Sequence, residues 1–302
     1  MARIKIILNP AADNGRGIQQ RDVIGSLVQA AGDVEIVESE TGAHARELAR
    51  QAVLEGCEMV VAAGGDGTVH QVVNGILGAP EGTAVLGVIP IGSGNDFAYA
   101  NAIPVTVPEA VNLLFTGRVR AVDVARVEDE NGRFVIMDNN FGAGFDAEVV
   151  VQTERIHRVH GFLKYFIAVL KSIAFYFHTY HIQMRFDAEE VVQDVLFLYL
   201  GIGPRGGGGF LLTPDARQDD GLVDSCLVNP VNRLKMLQML SKGIKGTHIT
   251  SKHVSMRRNQ QIVLRPDEPT PIYVDGEVFA YAEDRLRQVT ITSMPGVLSL
   301  IA

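Results

Sequence analysis

A glycine-rich stretch after an apolar run is the first feature of this sequence that could do chemistry. Residues 62–68 read AAGGDGT. Glycines let a backbone approach a polyanion without Cβ clashes, and a helix N-terminus offers free N–H groups to phosphate. Thr68 suits the N-cap position. Asp66 would repel a phosphate unless a cation lies between them, so it is a candidate Mg²⁺ partner, directly or through water. A tight strand-to-helix turn with a capping Asp is the alternative.

Two further turns of this kind follow other predicted strands. The sequence IPIGSGNDFA places residues 92–96 between a strand that ends at Pro90 and a helix. The sequence NPAADNG begins at Asn9, after the first predicted strand. In a parallel sheet, ligands bind beyond the carboxyl ends of the strands. Three such turns at one edge of a sheet therefore favour a nucleotide pocket over three unrelated turns.

An acidic segment and a pair of carboxylates lie later in the chain. Residues 215–224 read DARQDDGLVD, with four Asp and no Lys, so a divalent ion is a natural partner and a solvated acidic turn is the alternative. Residues 272–279 read IYVDGEVF, and Asp-Gly is the strongest short signal for a hairpin. Asp275 and Glu277 nevertheless bracket the glycine, and an enzyme that phosphorylates an alcohol needs one carboxylate to accept the hydroxyl proton. Whether residues 272–279 form only a hairpin or also supply the proton acceptor stays open.

The composition is that of a globular chain. Of the 302 residues, 47% are hydrophobic and 21% are charged, which is enough to form the cores of about two domains. The formal net charge of −8 argues against a general nucleic-acid binder, which needs basic surface. Cys57 and Cys226 form neither a disulfide framework nor a metal-ligand spacing. With no secretory signal and no apolar run of spanning length, the sequence predicts a cytoplasmic protein.

Strand and helix signals alternate over the first 125 residues and then change in character. Alternation at this spacing predicts a parallel sheet with covering helices. From about residue 122, β-branched runs punctuated by Gly, Asn and Asp predict antiparallel β structure, interrupted by one helix. We therefore expect an α/β domain over residues 1–122 and a β domain over residues 123–287. Whether the last strand-like piece, about residues 288–302, returns to the first domain is left open by the sequence.

The interrupting helix is expected at about residues 161–177. Its apolar residues at positions 162, 163, 166, 167, 170, 173, 174 and 177 form an i, i+3, i+4 face. Packing of this face against the β domain is the favoured prediction, and docking on a membrane surface, helped by Lys164 and Lys171, is the alternative. The pairs His157/His160 and His178/His181 have the spacing of a helix face, but metal binding by them is disfavoured.

Several of these motifs resemble those of one kinase family. GGDGT occurs in phosphofructokinases, NAD kinases and the diacylglycerol/sphingosine kinase catalytic domain, and IPIGSGNDFA is similar to the second motif of the last group. The similarity extends to GGGGFLLTPDARQDDGLVD (206–224) and YVDGEVF (273–279). The chain thus resembles the soluble bacterial lipid kinases of the diacylglycerol kinase type. The resemblance implies an α/β, phosphofructokinase-like nucleotide-binding domain with a parallel sheet, followed by a β-sandwich domain.

The resemblance also implies roles for individual residues. The residues of the expected ATP site are Asn9, Pro10, Ala11, Ala12, Asp13, Thr41, Gly64, Gly65, Asp66, Gly67, Thr68, Val69, His70, Gln71, Ser93, Asn95 and Asp96. Mg²⁺ would be held by the Asp220 side chain and by the main-chain carbonyls of Arg217 and Leu222. Glu277 would accept the proton, and Asp275 would shape the turn or orient Glu277.

Two positions of the expected ATP site depart from the family pattern. Asp13 stands where the first loop usually has Gly, and it adds a negative charge near the expected phosphates. Ser93 stands where Thr is more common, which keeps the hydroxyl and removes only a methyl group.

Motifs and resemblance together predict an ATP- and Mg²⁺-dependent kinase that phosphorylates a hydroxyl of a lipid such as diacylglycerol. An NAD kinase-like activity and a non-catalytic nucleotide- or lipid-binding regulator on the same fold are the alternatives. No residue selects one acceptor among diacylglycerol, sphingoid bases, phosphatidylglycerol and polyprenols. The expected partners are the lipid and, peripherally, the membrane, with no nucleic acid. The oligomeric state, including a homodimer, is left open.

Overall fold

The computed structural model describes residues 3–29, 32–80, 84–156, 159 and 161–302. The chain forms two compact units. The first contains the residues up to Val122 together with Gly296–Ala302, and the second contains Asp123–Pro295. Within the described ranges, no helix is long and apolar enough to cross a membrane.

Strands and helices are numbered separately in chain order. The strands are β1 (Ile4–Leu8), β2 (Val34–Glu38), β3 (Met59–Gly64), β4 (Val85–Pro90), β5 (Val119–Asp129), β6 (Phe134–Met137), β7 (Asn140–Gly144), β8 (Tyr180–Phe186), β9 (Glu189–Val195), β10 (Phe197–Gly201), β11 (Val223–Val228), β12 (Val254–Asn259), β13 (Gln261–Pro266), β14 (Ile272–Val274), β15 (Glu277–Ala280) and β16 (Val289–Ile301). The helices are α1 (Ala12–Gly15), α2 (Gln20–Val28), α3 (Gly42–Leu54), α4 (Asp66–Leu77), α5 (Asp96–Ala100), α6 (Val107–Thr116), α7 (Phe145–Glu154), α8 (Gly161–Phe175) and α9 (Arg233–Ile244).

Four parallel strands form most of the sheet of the first unit, in the order β2-β1-β3-β4. In the register of this sheet, Ile4 lies opposite both Val34 and Met59. The central strands are mostly apolar and are buried on both faces, as expected where helices cover a parallel sheet. Leu300 of β16 pairs in parallel with Leu86 of β4, so the last strand does return to this sheet.

The helices α3 and α4 lie close together beside the sheet. The Thr41 hydroxyl caps α3 by accepting a hydrogen bond of 3.1 Å from the His44 N–H. The inner side of α3 carries the buried small residues Ala45 and Ala49. A Cβ on Gly75 of α4 would overlap the α3 backbone. This close approach fixes α4, which follows the first glycine-rich loop.

The second unit is a sandwich of antiparallel sheets. One sheet has the order β12-β11-β10-β7-β14-β15, and the other contains β9, β8, β13 and the first residues of β16. Residues from both sheets, including Phe141, Ile182, Leu200 and Ile262, form one buried core. The predicted fold class is therefore confirmed: an α/β unit with a parallel sheet precedes a β sandwich.

Three helices cover the outer face of the six-stranded sheet. Phe145 of α7, Val169 of α8 and Met236 of α9 share a core cluster with Phe197 and Tyr199 of β10. Only α8 was predicted. The segment that forms α7 was interpreted as β structure because of its glycines, and α9 was missed although its signals are clear. Its N-cap is an Asn that accepts the N–H of the third helical residue at 2.8 Å.

The helix α8 packs on the β domain as predicted, but through a side that only partly matches the predicted one. Ala168, Val169, Ser172 and Ile173 are buried, and only Ile173 of these belongs to the predicted face, whose residues 163, 167, 170 and 174 are exposed. The helix is apolar on almost all sides, so its pattern does not select one face. The smaller Ala168 and Ser172 are on the side that packs.

Candidate active site

The first glycine-rich loop joins β3 to α4. At Gly64, the last residue of β3, an added Cβ would overlap the Thr68 side chain. The Thr68 hydroxyl accepts a hydrogen bond of 3.0 Å from the Asn9 amide. The Asn9 side-chain oxygen in turn accepts a hydrogen bond of 3.0 Å from the Ala11 N–H. The turn after β1 is therefore tied to the first turn of α4.

The two longer glycine-rich loops contact each other. A Cβ on Gly65 would lie 3.1 Å from the Gly92 Cα, and a Cβ on Gly92 would overlap Gly65. Asn95 has a left-handed φ of 54°, and its amide oxygen accepts a hydrogen bond of 3.0 Å from the Gly92 N–H. The packing of the loops thus requires glycine at position 92 and leaves little room for a Cβ at position 65.

Asp66 lies where these two loops meet. Its Oδ1 accepts a hydrogen bond of 3.1 Å from the N–H of Phe97, in the first turn of α5. Burial, together with the charge of Asp96, raises the pKa of Asp66 to about 6, although the backbone N–H groups of residues 95–97 act to lower it. Asp96 is also buried. Carboxylates that lose water and repel each other gain from a shared cation, so the pair suits Mg²⁺.

The turn after β1 accommodates the unusual Asp13. Asp13 and Asn14 have left-handed φ values of 46° and 61°, which Asp and Asn adopt more readily than most residues. The Asp13 carboxylate lies 3.3 Å from the Arg16 guanidinium. Asp13 therefore takes a conformation that also suits glycine, and Arg16 offsets part of its charge.

The other residues of the expected ATP site differ in exposure. Ala11, Thr41, Gly67 and Ser93 are exposed, Pro10 is half-buried, and Ala12, Val69, His70 and Gln71 are buried. Gln71 accepts a hydrogen bond of 3.0 Å from the side chain of Arg46, which lies on α3. Arg46 was not among the predicted residues, and only its place one turn after Thr41 could have indicated it.

The acidic segment of the second unit is partly compensated by arginines. The Arg217 guanidinium lies 2.9 Å from the Asp219 carboxylate, and Arg258 lies 3.1 Å from Asp224. Burial raises the pKa of Asp224, while Arg258 acts to lower it. Because the prediction considered only the missing lysines, it overestimated the uncompensated charge of this segment.

Asp220 begins a tight turn within that segment. Its carboxylate accepts a hydrogen bond of 3.1 Å from the Leu222 N–H, and within the described part of the chain it has no other hydrogen bond or ion pair. Gly221 has a left-handed φ of 75°, and its N–H donates to Asp123 at 2.7 Å. A carboxylate with an oxygen left for another ligand suits Mg²⁺.

The pair of carboxylates lies at a two-residue hairpin. Val274 pairs with Glu277, and Asp275 and Gly276 between them have left-handed φ values of 48° and 81°, as in a type I′ turn. The Asp275 carboxylate accepts backbone N–H groups of residues 138, 139 and 140 at 2.8, 3.0 and 2.7 Å. Asp275 is buried and Glu277 is exposed, so the two carboxylates have different surroundings.

Two family models together match almost the whole chain. Residues 3–127 match the diacylglycerol kinase catalytic domain, and residues 139–302 match the YegS C-terminal NAD kinase beta sandwich-like domain. The chain belongs to the diacylglycerol kinase family of lipid kinases. It is therefore a lipid kinase, as the motifs predicted.

Individual relatives of this lipid kinase agree with the family. It is 29% identical to the diacylglycerol kinase of Mycobacterium tuberculosis, over 92% of this chain and 89% of that one. It is 29% identical to a protein of Chromohalobacter salexigens named "Probable lipid kinase YegS-like", over 96% and 91% of the two chains. A diacylglycerol kinase structure from Bacillus anthracis has the same fold, with a TM-score of 0.73, 20% identity and coverage of 99% and 96%.

One buried network of the lipid kinase was not predicted. Asp146 of α7 accepts hydrogen bonds from the Tyr273 hydroxyl at 2.8 Å and from the Tyr165 hydroxyl at 3.2 Å. Burial raises the pKa of Asp146 to about 6, while both hydroxyls act to lower it. A Cβ on Gly142 would overlap the Tyr273 ring. The network fixes β14 just before Asp275, and its only sequence signal was an Asp in the apolar segment NFGAGFDA.

The histidine pairs have separate outcomes. His157 and His160 lie outside the described residues. The His178 ring lies 2.8 Å from the Glu268 carboxylate, and the His181 ring lies 2.6 Å from that of Asp194. The rings of these two histidines take part in surface hydrogen bonds with different acids.

Proposed function

We propose that this lipid kinase transfers the γ-phosphoryl group of ATP to a hydroxyl of a lipid such as diacylglycerol, with Mg²⁺ as cofactor. The contact between Gly65 and Gly92, with the Asp66 carboxylate at the junction, is the observation that carries this proposal. Backbone N–H groups without neighbouring side chains suit a polyphosphate, and the start of α4 adds the positive end of a helix dipole. ATP would bind over these loops, beside Asn9 and Thr68.

Mg²⁺ would bind at two places. Asp66 and Asp96 would hold the ion of the nucleotide, because Asp66, whose pKa is raised by desolvation and by the charge of Asp96, gains from a cation. Asp220, with the carbonyls of Arg217 and Leu222, would hold a second ion that stabilises its turn. When bound, the nucleotide's ion neutralises charge on the transferred phosphoryl group.

Glu277 would accept the proton of the lipid hydroxyl. The neighbouring Asp275 already accepts three backbone N–H groups, and hydrogen bonds to its charged form make a carboxylate a weaker base. Glu277 is exposed at the start of β15, where an acceptor can reach it. Asp275 would then hold the turn that positions Glu277. Proton acceptance of this kind contributes about 10²–10⁴-fold to a rate.

Diacylglycerol is the specific acceptor that we propose. Support comes from the name of the Mycobacterium tuberculosis relative, whereas the Chromohalobacter salexigens relative is named only as a lipid kinase. An NAD kinase-like activity has a fold-level argument alone, from the description of the β-sandwich family. Diacylglycerol is therefore the first substrate to test.

Phosphorylation with radiolabelled ATP over a panel of acceptors tests the proposal. The panel contains diacylglycerol, a sphingoid base, phosphatidylglycerol, a polyprenol and NAD. We expect labelled diacylglycerol with the native protein and almost none with Glu277→Gln. If only another lipid became labelled, that lipid would replace diacylglycerol as the proposed acceptor. If only NAD became labelled, the protein would be assigned NAD kinase activity instead of lipid kinase activity. ATP binding without turnover of any acceptor would favour the regulator.

A further inference from the structure

The second unit contains a long segment without acidic residues. From Ser225 to Pro266 there is no Asp or Glu, although the whole chain has a net charge of −8. The same segment carries eight of the 27 Lys and Arg residues: Arg233, Lys235, Lys242, Lys245, Lys252, Arg257, Arg258 and Arg265. The segment includes α9, none of whose residues was predicted to belong to the active site.

The arginines and lysines of this segment differ in what they contact. Arg233 donates to the Ile173 carbonyl at 2.8 Å, and each of the other three arginines donates to a side chain of the same unit. Within the described residues, by contrast, none of the four lysines forms a side-chain hydrogen bond or ion pair. Lys242, Lys245 and Lys252 are exposed. The arginines therefore stabilise the unit, while the lysines leave a local positive charge.

The helix α9 has apolar residues on two sides. Met236 and Met239 are buried in the core cluster. Leu234, Leu237 and Ile244 are 66%, 42% and 42% exposed. The exposed three are spaced i, i+3 and i+10, which places them on one side of a helix. Large exposed apolar residues on a helix that also carries unpaired lysines fit a partner with an apolar part and anionic groups.

We propose that the outer face of α9 and the residue that follows it, formed by Leu234, Leu237, Lys242, Ile244 and Lys245, docks on an anionic lipid bilayer. The apolar side chains would enter the boundary between headgroups and acyl chains, and the lysines would contact lipid phosphates. A basic amphipathic helix binds such surfaces both by burying its apolar side chains and by electrostatic attraction to the anionic lipids. The proposal concerns a surface remote in sequence from the predicted catalytic residues, and it does not rest on the proposed reaction.

The helix α8 is the competing surface. It also exposes apolar residues, among them Leu163 and Leu170, at 57% and 40%. Its two lysines, Lys164 and Lys171, are half-buried. The exposed lysines and the acid-free segment therefore make α9 the stronger match to an anionic surface. Binding through α8 would depend less on the charge of the lipid.

Vesicle flotation tests the proposal with the full chain. Vesicles of phosphatidylcholine alone and of phosphatidylcholine with phosphatidylglycerol are compared at low and high salt. We expect binding to the anionic vesicles that weakens with salt, and a loss of at least about tenfold in Lys242→Glu/Lys245→Glu, because each lysine near such a surface contributes about 1 kcal/mol. Leu234→Gln/Ile244→Gln should weaken binding without changing its dependence on lipid charge.

Matched variants control for charge and folding. Arg21→Glu/Arg118→Glu applies the same charge change at exposed positions of the first unit, and it should bind as the native protein does. All variants should phosphorylate a water-soluble short-chain diacylglycerol as well as the native protein does. Vesicle binding without any kinase activity would reject the proposed function and keep the docking surface. Equal binding of the native and Lys242→Glu/Lys245→Glu proteins, or loss only in Leu163→Gln/Leu170→Gln of α8, would overturn the docking proposal.

Discussion

Asp-Gly occurs in both units, and the copies that begin at Asp66 and at Asp275 have different conformations. Asp66-Gly67 begins the helix α4, whereas Asp275-Gly276 turns a hairpin with two left-handed residues. Asp66 lies near the charge of Asp96, which helps to raise its pKa. Asp275 is surrounded by three backbone N–H donors. The surroundings of the first carboxylate thus suit a cation, while the second accepts backbone hydrogen bonds, and the dipeptide alone does not distinguish the two.

Loss of the proposed base should have the largest effect. Glu277→Gln should keep the fold and ATP binding but lose about 10²–10⁴-fold in kcat, because the exposed carboxylate would no longer accept the proton. Asp275→Asn should lose less kcat but about 1–3 kcal/mol of stability, because one amide oxygen cannot replace two carboxylate oxygens. Steady-state kinetics and urea denaturation measure these effects. Near-native turnover in Glu277→Gln with an inactive Asp275→Asn would reverse the two roles.

Contact between the glycine loops gives the next largest effect. Gly65→Val would force side-chain atoms against Gly92 and into the expected phosphate space, and ATP affinity should fall by about a hundredfold. Calorimetric titration of ATP measures this change. Gly25→Ala, on α2, is the control because its nearest neighbouring atom would lie 4.0 Å away. Unchanged affinity in a folded Gly65→Val protein would mean that ATP binds elsewhere.

The raised pKa of Asp66 predicts how stability depends on pH without metal. Asp66 binds its proton more tightly in the folded protein, at a pKa of about 6 against an ordinary 3.8. Its contribution to stability should therefore fall as the pH rises from about 4 to about 6. Asp66→Asn should remove this fall, and Mg²⁺ should stabilise the native protein more than the variant at pH 7. Thermal melts across this pH range measure the effect, with Asp22→Asn as the control that should follow the native curve. If Asp66→Asn also followed the native curve, the prediction would be wrong.

Removal of Asp220 should have a smaller effect, which distinguishes the response to metal from the loss of its hydrogen bond with Leu222. Mg²⁺ should raise the melting temperature of the native protein, and Asp220→Ala should lose on the order of 1 kcal/mol of that gain, or about 2–4 °C. Asp215→Ala, which changes an exposed acid of the same segment, should keep the gain. An equal Mg²⁺ response in all three proteins would exclude a metal at Asp220.

The smallest effect concerns the hairpin glycine. Gly276 has a φ of 81°, so Gly276→Ala should cost about 1 kcal/mol through backbone strain. Gly25→Ala, in a helix, should be neutral or slightly stabilising. Urea denaturation compares the two variants. A neutral Gly276→Ala would mean that the turn tolerates a side chain and that Asp275 alone fixes it.

The layout of strands and glycine loops was predictable because its signals are local. Apolar runs followed by a glycine-rich turn marked β3 and β4, and Asp-Gly marked the hairpin between β14 and β15. The buried side of α8 was not predictable, because a helix that is apolar all round gives no preferred face. The helix α9 could have been predicted from its capping Asn232, but the β-rich segments on both sides outweighed that signal.

Partners that are distant in sequence explain the other gaps in the predicted site. The N–H groups that bind Asp275 belong to residues 138–140, and the tyrosine hydroxyls that bind Asp146 come from residues 165 and 273. Arg258 compensates Asp224 from 34 positions away. A residue pattern shows which groups can interact, whereas the folded topology decides which ones do.

The return of β16 to the first unit has a consequence for protein synthesis. The N–H and carbonyl groups of Arg118 and Ala302 pair reciprocally, and Leu300 pairs with Leu86 at the edge of β4. Until residue 300 has left the ribosome, β4 lacks this neighbour and exposes unpaired backbone groups to other nascent chains. The first unit therefore begins to form early in translation but completes its sheet only after the whole second unit has been made. Messages truncated before codon 296 should yield chains that aggregate through this open edge.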